Sequence, residues 1–298
     1  MNDFFQGGWN RRMWMAGAAL AGVAGAACSP LALLNGADRV SRSGVRRVAE
    51  GVAYGPDPRL KLDVWAPSSA RPGAGLPVIV FFYGGGWQSG ERGDYAFAAA
   101  ALAGRGFVVV VPDYRLVPAV RFPAFVEDCA LSVKWVRDHV ADFGGDPGRI
   151  ALSGHSAGAY NAAMLALDRH FLADIGVDPG IVRAAALLSG PYDFAPFTER
   201  YGRAAFGQWP RARETQPVNF VRRDAPPMLL IHGAADRTAY PYNSRRLAER
   251  LRAVGAPVEL KIYPGKNHVD TVASLSRPLR GRSPALEDVV GFLGEKTW

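Results

Sequence analysis

Arg149-Ile150-Ala151-Leu152-Ser153-Gly154-His155-Ser156-Ala157-Gly158 is the stretch on which the fold turns. Ile150, Ala151 and Leu152 make a short apolar run, and an Ala-rich helical stretch follows at 156–167. Between them stands Gly-x-Ser-x-Gly. That pattern is short enough to arise by chance; its meaning comes from lying between a strand and a helix. A sharp strand-to-helix turn holds its serine in a strained backbone position. Small residues two before and two after let strand and helix approach without clash. The Ser156 hydroxyl then sits at a helix N-terminus, where free N–H groups and the dipole favour developing negative charge. The competing reading is an N-cap serine in a glycine-rich turn.

A nucleophilic serine needs a base, and the chain has five histidines. His155 is adjacent to the serine, which is poor geometry. His139 and His170 fall on or near helix ends. His232 closes an apolar run and reads as a buried structural residue. His268 follows the last strand-like run, in Tyr263-Pro264-Gly265-Lys266-Asn267-His268, where a loop at the C-terminal sheet edge carries chemistry. His268 is therefore the expected base. An orienting acid between serine and histidine in chain order fits Asp236, four residues after His232. Asp193, in Ser189-Gly190-Pro191-Tyr192-Asp193, is the rival. A tetrahedral oxyanion needs N–H donors. Ala157 supplies one, and Tyr83-Gly84-Gly85-Gly86-Trp87 supplies others through Gly85 and Gly86, with Gly84 a further option. The same run fails as a phosphate loop: neither G-x-x-x-x-G-K-[ST] nor G-x-G-x-x-G is present. With no H-E-x-x-H and no clustered Cys and His, neither metal nor cofactor is expected.

Outward from this stretch, strand-like and helix-like runs alternate. Segments 45–54 and 59–65 read as two strands joined by Gly55-Pro56-Asp57-Pro58. Segments 77–83, 107–111 and 227–231 are continuously apolar, as strands of a parallel sheet covered on both faces should be. Shorter strand candidates lie at 149–152, 184–188 and 258–263. Helical stretches fall at 94–103, 122–140, 156–167, 241–254 and 284–293. In the second of these Phe125, Cys129, Val133 and Val136 share one face. The expected architecture is an open, mostly parallel α/β sheet flanked by helices, one domain over 45–298. Only 192–223, rich in Arg, aromatics and Pro, breaks the rhythm. It reads as an insertion over the sheet.

The 298 residues carry 49% hydrophobic and 21% charged side chains, a globular profile that excludes a disordered tail protein or a small disulfide scaffold. Net charge is +8, but the arginines are scattered and flanked by acids, and no nucleic-acid motif occurs. Solvated arginines account for the charge. At the N-terminus, Arg11-Arg12 precede an uncharged stretch from Met13 to Ala27, as in a signal peptide. Ala26-Ala27-Cys28 is similar to the end of a lipobox, although Gly25 stands where a Leu-like residue belongs. Residues 1–28 are thus expected to direct export to a bacterial envelope or periplasm, with a lipid on Cys28 or a retained membrane anchor as alternatives. Without Cys28, Cys129 has no disulfide partner.

These features together resemble the α/β-hydrolase superfamily. Within it, the likeness is to hormone-sensitive-lipase-like and feruloyl- or acetyl-xylan-esterase-like carboxylesterases and to kynurenine formamidases. Tyr83–Trp87 is similar to the family's His-Gly-Gly-Gly-Trp. Asp113-Tyr114-Arg115-Leu116, Phe122-Pro123, the Ser156 turn, Pro226-Pro227 and the Asp236 and His268 loops carry the rest. Two departures stand out: Tyr83 replaces the family's histidine, and Ala159 stands where relatives have glycine. The resemblance implies hydrolysis of small or medium carboxylic esters through an acyl-enzyme, by a Ser156–His268–Asp236 triad. An arylformamidase with the same triad is the alternative, and a non-catalytic envelope binding protein is the alternative of another class. It also implies that 192–223 forms part of a lid. There Phe194, Phe197, Phe206 and Trp209 either line an acyl or aryl pocket or pack the lid onto the sheet.

Overall fold

The apolar runs 77–83 and 107–111 lack the alternation of a half-exposed strand, and they take the two-sided burial that this implies. The computed structural model describes Asn35 and residues 43–298; the expected export segment and Cys28 lie outside the described residues. Among those residues the strands are β1 (Val45–Ala53), β2 (Lys61–Pro67), β3 (Leu76–Phe82), β4 (Val108–Pro112), β5 (Gly145–His155), β6 (Val182–Leu188), β7 (Met228–Gly233) and β8 (Val258–Tyr263). They form one eight-stranded sheet in the order β1-β2-β4-β3-β5-β6-β7-β8. β2 runs antiparallel to both β1 and β4, and every other pairing is parallel. This is the expected α/β-hydrolase architecture.

Helices Ala96–Ala103 and Ala285–Thr297 pack against each other and against the sheet. Helices Ala124–His139 and Ala157–Leu167 form a second such pair. Every residue of β4 and β7 is buried between these layers. The second helix starts at Ala124, with Pro123 at its cap, because proline has no N–H to donate inside a helix. Cys129 is buried on that helix's inner face.

Strand order changes direction at β3. From β3 the chain steps out to β4, then returns past β3 to β5. The loops leaving β3 and β5 therefore diverge, opening a crevice at their C-terminal ends. Polar anchors fix the loops around that crevice. Arg115 sits just after β4 and donates to buried Asp128 through its backbone N–H (2.9 Å), Nε (2.9 Å) and Nη2 (2.7 Å). Two residues on, the Val117 N–H donates to the Trp87 carbonyl at 2.8 Å, which ties this loop to the one after β3. Removing a single partner of a buried ion pair strands the other charge. Arg115→Ala is therefore expected to cost about 3 kcal/mol of stability, measured as a lower urea midpoint at pH 7.

Candidate active site

The turn between β5 and helix Ala157–Leu167 is built around a backbone only glycine neighbours permit. Ser156 adopts φ 55° and ψ −122°, a left-handed φ that a non-glycine residue occupies only when its surroundings enforce it. The surroundings do so by contact. A Cβ on Gly158 would lie 2.1 Å from the Phe82 carbonyl oxygen, and one on Gly154 would lie 2.6 Å from the Gly158 carbonyl carbon. Strand, turn and helix therefore close to a spacing that no larger residue allows. The Ser156 N–H donates to the Leu188 carbonyl at 2.9 Å, anchoring the turn to β6.

His268 and Asp236 converge on this serine from the loops after β8 and β7. Ser156 Oγ lies 2.8 Å from His268 Nε2, and His268 Nδ1 lies 2.7 Å from Asp236 Oδ2. An ionised carboxylate only accepts, so Nδ1 carries the ring proton and Nε2 is free to accept from the serine hydroxyl. Asp236 is itself fixed. Its Oδ1 accepts from the N–H groups of Thr238 (2.8 Å) and Ala239 (3.0 Å), and its Oδ2 lies 3.1 Å from His232 Nε2. His232 is fully buried, as expected of a structural residue, and its Nδ1 lies 2.7 Å from the Ser244 hydroxyl. Asp193, the rival acid, faces Arg246 at 3.4 Å. His170 pairs with Asp168 at 2.6 Å, and His139 lies against Trp135.

The glycine run after β3 faces the serine turn. Gly85 takes φ 135° and Gly86 φ 59°; a Cβ on Gly85 would meet the Ser89 carbonyl oxygen at 2.0 Å. The Gly85 carbonyl accepts from Gln88 and Ser89, closing the loop. Trp87 anchors it: the indole Nε1 donates to Asn161 on helix Ala157–Leu167 at 3.1 Å, and the ring packs edge-on against Phe206 and Tyr160. Tyr83, in the place of the family's histidine, is fully buried and stacks on Tyr114 at 4.5 Å. Its hydroxyl accepts from Arg59 Nη2 at 3.0 Å, and its carbonyl accepts from the Tyr114 hydroxyl at 2.8 Å. Burial, then Asp113, pushes the Tyr83 phenol well above the usual tyrosine range, so it stays neutral. The substitution thus leaves the loop firmly supported, by a tyrosine pair and a guanidinium.

Gly86, Ser156 and Ala157 line a cavity of about 560 Å³, and Gly85 holds the turn one residue back. Phe194 and Phe197 reach the cavity wall. Phe206 is fully buried among Trp87, Tyr160 and Phe125, and Trp209 packs edge-on against Phe122 at 5.1 Å. The four aromatics named from the sequence therefore divide, Phe194 and Phe197 toward the cavity and Phe206 and Trp209 into packing. The cavity mouth also holds Tyr201, Arg237, Tyr240 and Tyr242, which sequence reasoning did not single out. The three tyrosines are about half exposed, and no periodicity or motif marks them.

A family model, BD-FAE, matches residues 62–251. The chain belongs to the BD-FAE family. It is 32% identical over 273 residues to the isoprenylcysteine α-carbonyl methylesterase ICME of Arabidopsis thaliana, covering 83% of this chain and 62% of that protein. It is 35% identical over 236 residues to esterase LipC of Mycobacterium tuberculosis, covering 73% of this chain and 58% of that one. The chain thus spans about three fifths of the length of these curated relatives. Among solved structures it resembles Thermogutta terrifontis esterase 2 phosphorylated by paraoxon: TM-score 0.71, 27% identity, 85% of this chain and 95% of that one.

Asp236 also links the site to acid stability. Burial alone raises its pKa, but hydrogen bonds from His232 and His268, with that from the Ala239 N–H, outweigh burial and hold the carboxyl well below the usual range. A depressed folded-state pKa contributes stability above the unfolded value of about 3.9 and loses it as pH falls toward the folded value. Asp236→Asn is therefore expected to flatten the fall of the urea midpoint below about pH 4. An unchanged acid limb would contradict this.

Proposed function

We propose that the chain is a serine carboxylesterase acting on small or medium esters through Ser156, His268 and Asp236. The observation that carries this is the continuous hydrogen-bonded chain from Ser156 Oγ through His268 to Asp236, opening at the serine end into an aromatic-walled cavity. In this reading Ser156 attacks the ester carbonyl while His268 Nε2 takes its proton. Asp236 keeps the imidazole in the required tautomer and stabilises the imidazolium. The N–H groups of Ala157, Gly86 and Gly85 stabilise the oxyanion. His268 then protonates the departing alcohol and activates water against the acyl-enzyme. The likeness to an esterase phosphorylated by paraoxon supports a nucleophile open to phosphorylating reagents. The cavity size and the Phe194 and Phe197 wall support a compact acyl or aryl group. No cofactor enters any step.

The expected result is hydrolysis of p-nitrophenyl acetate and butyrate, with Ser156→Ala lowering kcat by about 10⁴-fold or more. Paraoxon should add its phosphoryl mass to Ser156 alone. Asp236→Asn should lower kcat by about 10³-fold or more, and Asp193→Asn by less than about threefold. A larger loss in the Asp193 variant overturns the acid assignment, and Ser156-independent turnover overturns the mechanism.

We further propose that the chain is exported to the cell envelope through residues 1–28. Arg11-Arg12 and the uncharged stretch after them support this. Mass spectrometry of the mature protein should find the chain starting at residue 27 or 28, or at a lipidated Cys28. An intact Met1 in the soluble fraction would sink the export reading.

A further inference from the structure

His155 carries more than its place in the Gly-x-Ser-x-Gly pattern accounts for. Its ring is buried between three loops of the site. Nε2 lies 3.0 Å from the backbone carbonyl oxygen of His268, and Nδ1 lies 2.9 Å from the Tyr95 hydroxyl. A carbonyl oxygen only accepts, so Nε2 must carry the proton and donate. Nδ1 is then the acceptor, and the Tyr95 hydroxyl donates to it. The carbonyl forces the Nε2 direction, and in a neutral ring the Nδ1 direction follows from it. Burial, then the neighbouring His268, pushes the His155 pKa down to about 3, which agrees with a neutral ring. Gly84 of the glycine run backs directly onto this pair. A Cβ there would come within 3.0 Å of His155 Nδ1 and 2.9 Å of Tyr95 Oη. The His268 carbonyl also accepts from Thr271 Oγ1 at 3.2 Å, so two donors set its direction.

We propose that His155 is a positioning residue: as a neutral Nε2–H imidazole oriented by Tyr95, it holds the His268 main chain and so sets the base against Ser156. The proposal rests on the roles given above to Ser156 and His268. His155 does not line the cavity; its ring lies 4.9 Å from that of His268, and its hydrogen bond there goes to the main chain. It joins the backbone of the serine turn to the backbone of the base loop, so the Nε2-to-Oγ distance is fixed twice, once through side chains and once through main chain. That redundancy matters once the acyl-enzyme has formed. Ser156 Oγ is then esterified and no longer donates to Nε2, and the main-chain tether keeps His268 in place to activate water. Misplacing a catalytic group by about 1 Å costs up to about 10²-fold in rate.

Two readouts test this. Nitrogen-15 NMR of the histidine rings should show one that stays neutral, with its proton on Nε2, from pH 5 to 8, and whose signals vanish in His155→Gln. A His155 ring that titrates in that window, or carries its proton on Nδ1, overturns the proposal. In kinetics with p-nitrophenyl butyrate, His155→Gln reaches the Nε2 position with an amide N–H, whereas His155→Asn reaches only the Nδ1 position. The Gln variant should keep kcat within about threefold of wild type, and the Asn variant should lose about tenfold or more, with KM within about twofold in both. Equal kcat in two folded variants, or a loss confined to KM, overturns the proposal. Wild-type protein that fails to hydrolyse any ester sinks the esterase reading instead, and the NMR result still decides the tautomer and the tether.

Discussion

The approach of Gly158 to the Phe82 carbonyl is the contact on which the site depends. It brings the start of helix Ala157–Leu167 down onto the end of β3, closer than any side chain allows. Three consequences follow from this one spacing. Ser156 is forced into its left-handed conformation, which lifts the hydroxyl to the sheet edge. The Ala157 N–H is brought to the side of the glycine run after β3. The helix also comes within reach of Trp87, whose indole locks the run to Asn161. A backbone constraint thus places Ser156 beside the glycine run after β3, and the His268 and Asp236 loops only have to meet it.

Much of this was written locally. The Gly154–Gly158 pattern and the apolar runs are each readable over about ten residues, because turn chemistry and two-sided burial act on neighbours in sequence, and the loops of Asp236 and His268 are found by following such runs. What escaped was non-local. β5 begins at Gly145, four residues before the short strand candidate at 149–152. It counts as strand because Gly145 pairs with Leu76 and is packed between Val140 and Val78, where a Cβ would clash. The link from His155 to Tyr95 and His268 spans 60 and 113 residues, so no window in the sequence holds both ends. The tyrosines at the cavity mouth meet only because the loop after β7 and the segment 192–223 cover the same crevice.

Charge shows the same division. The densest arginine groups lie at 39–47, 200–223 and 245–252, yet much of the site's scaffolding is done by arginines outside them. Arg59 donates to the Tyr114 carbonyl, the Tyr83 hydroxyl and the Gly90 carbonyl. Arg92 bridges Asp63 and Asp113. Planar, permanently charged guanidinium groups suit such multi-point bonding at partly buried loop junctions. Part of the positive balance is therefore internal structure that a net-charge count registers as surface.

The packing of Phe206 against Trp87 gives segment 192–223 a mechanical character of its own. Phe206 has no exposed surface, and it touches Trp87, Tyr160, Phe122, Phe125, Phe194 and Phe197. Swinging the segment outward would pull this ring from its cluster and uncover the tryptophan that braces the glycine run after β3. Exposing two such rings costs several kcal/mol, about 1.5–3 for each large side chain. The segment therefore works as a fixed wall and not as a hinged door. Entry to the cavity is left to the tyrosine-lined mouth, and what fits inside becomes a matter of rigid shape.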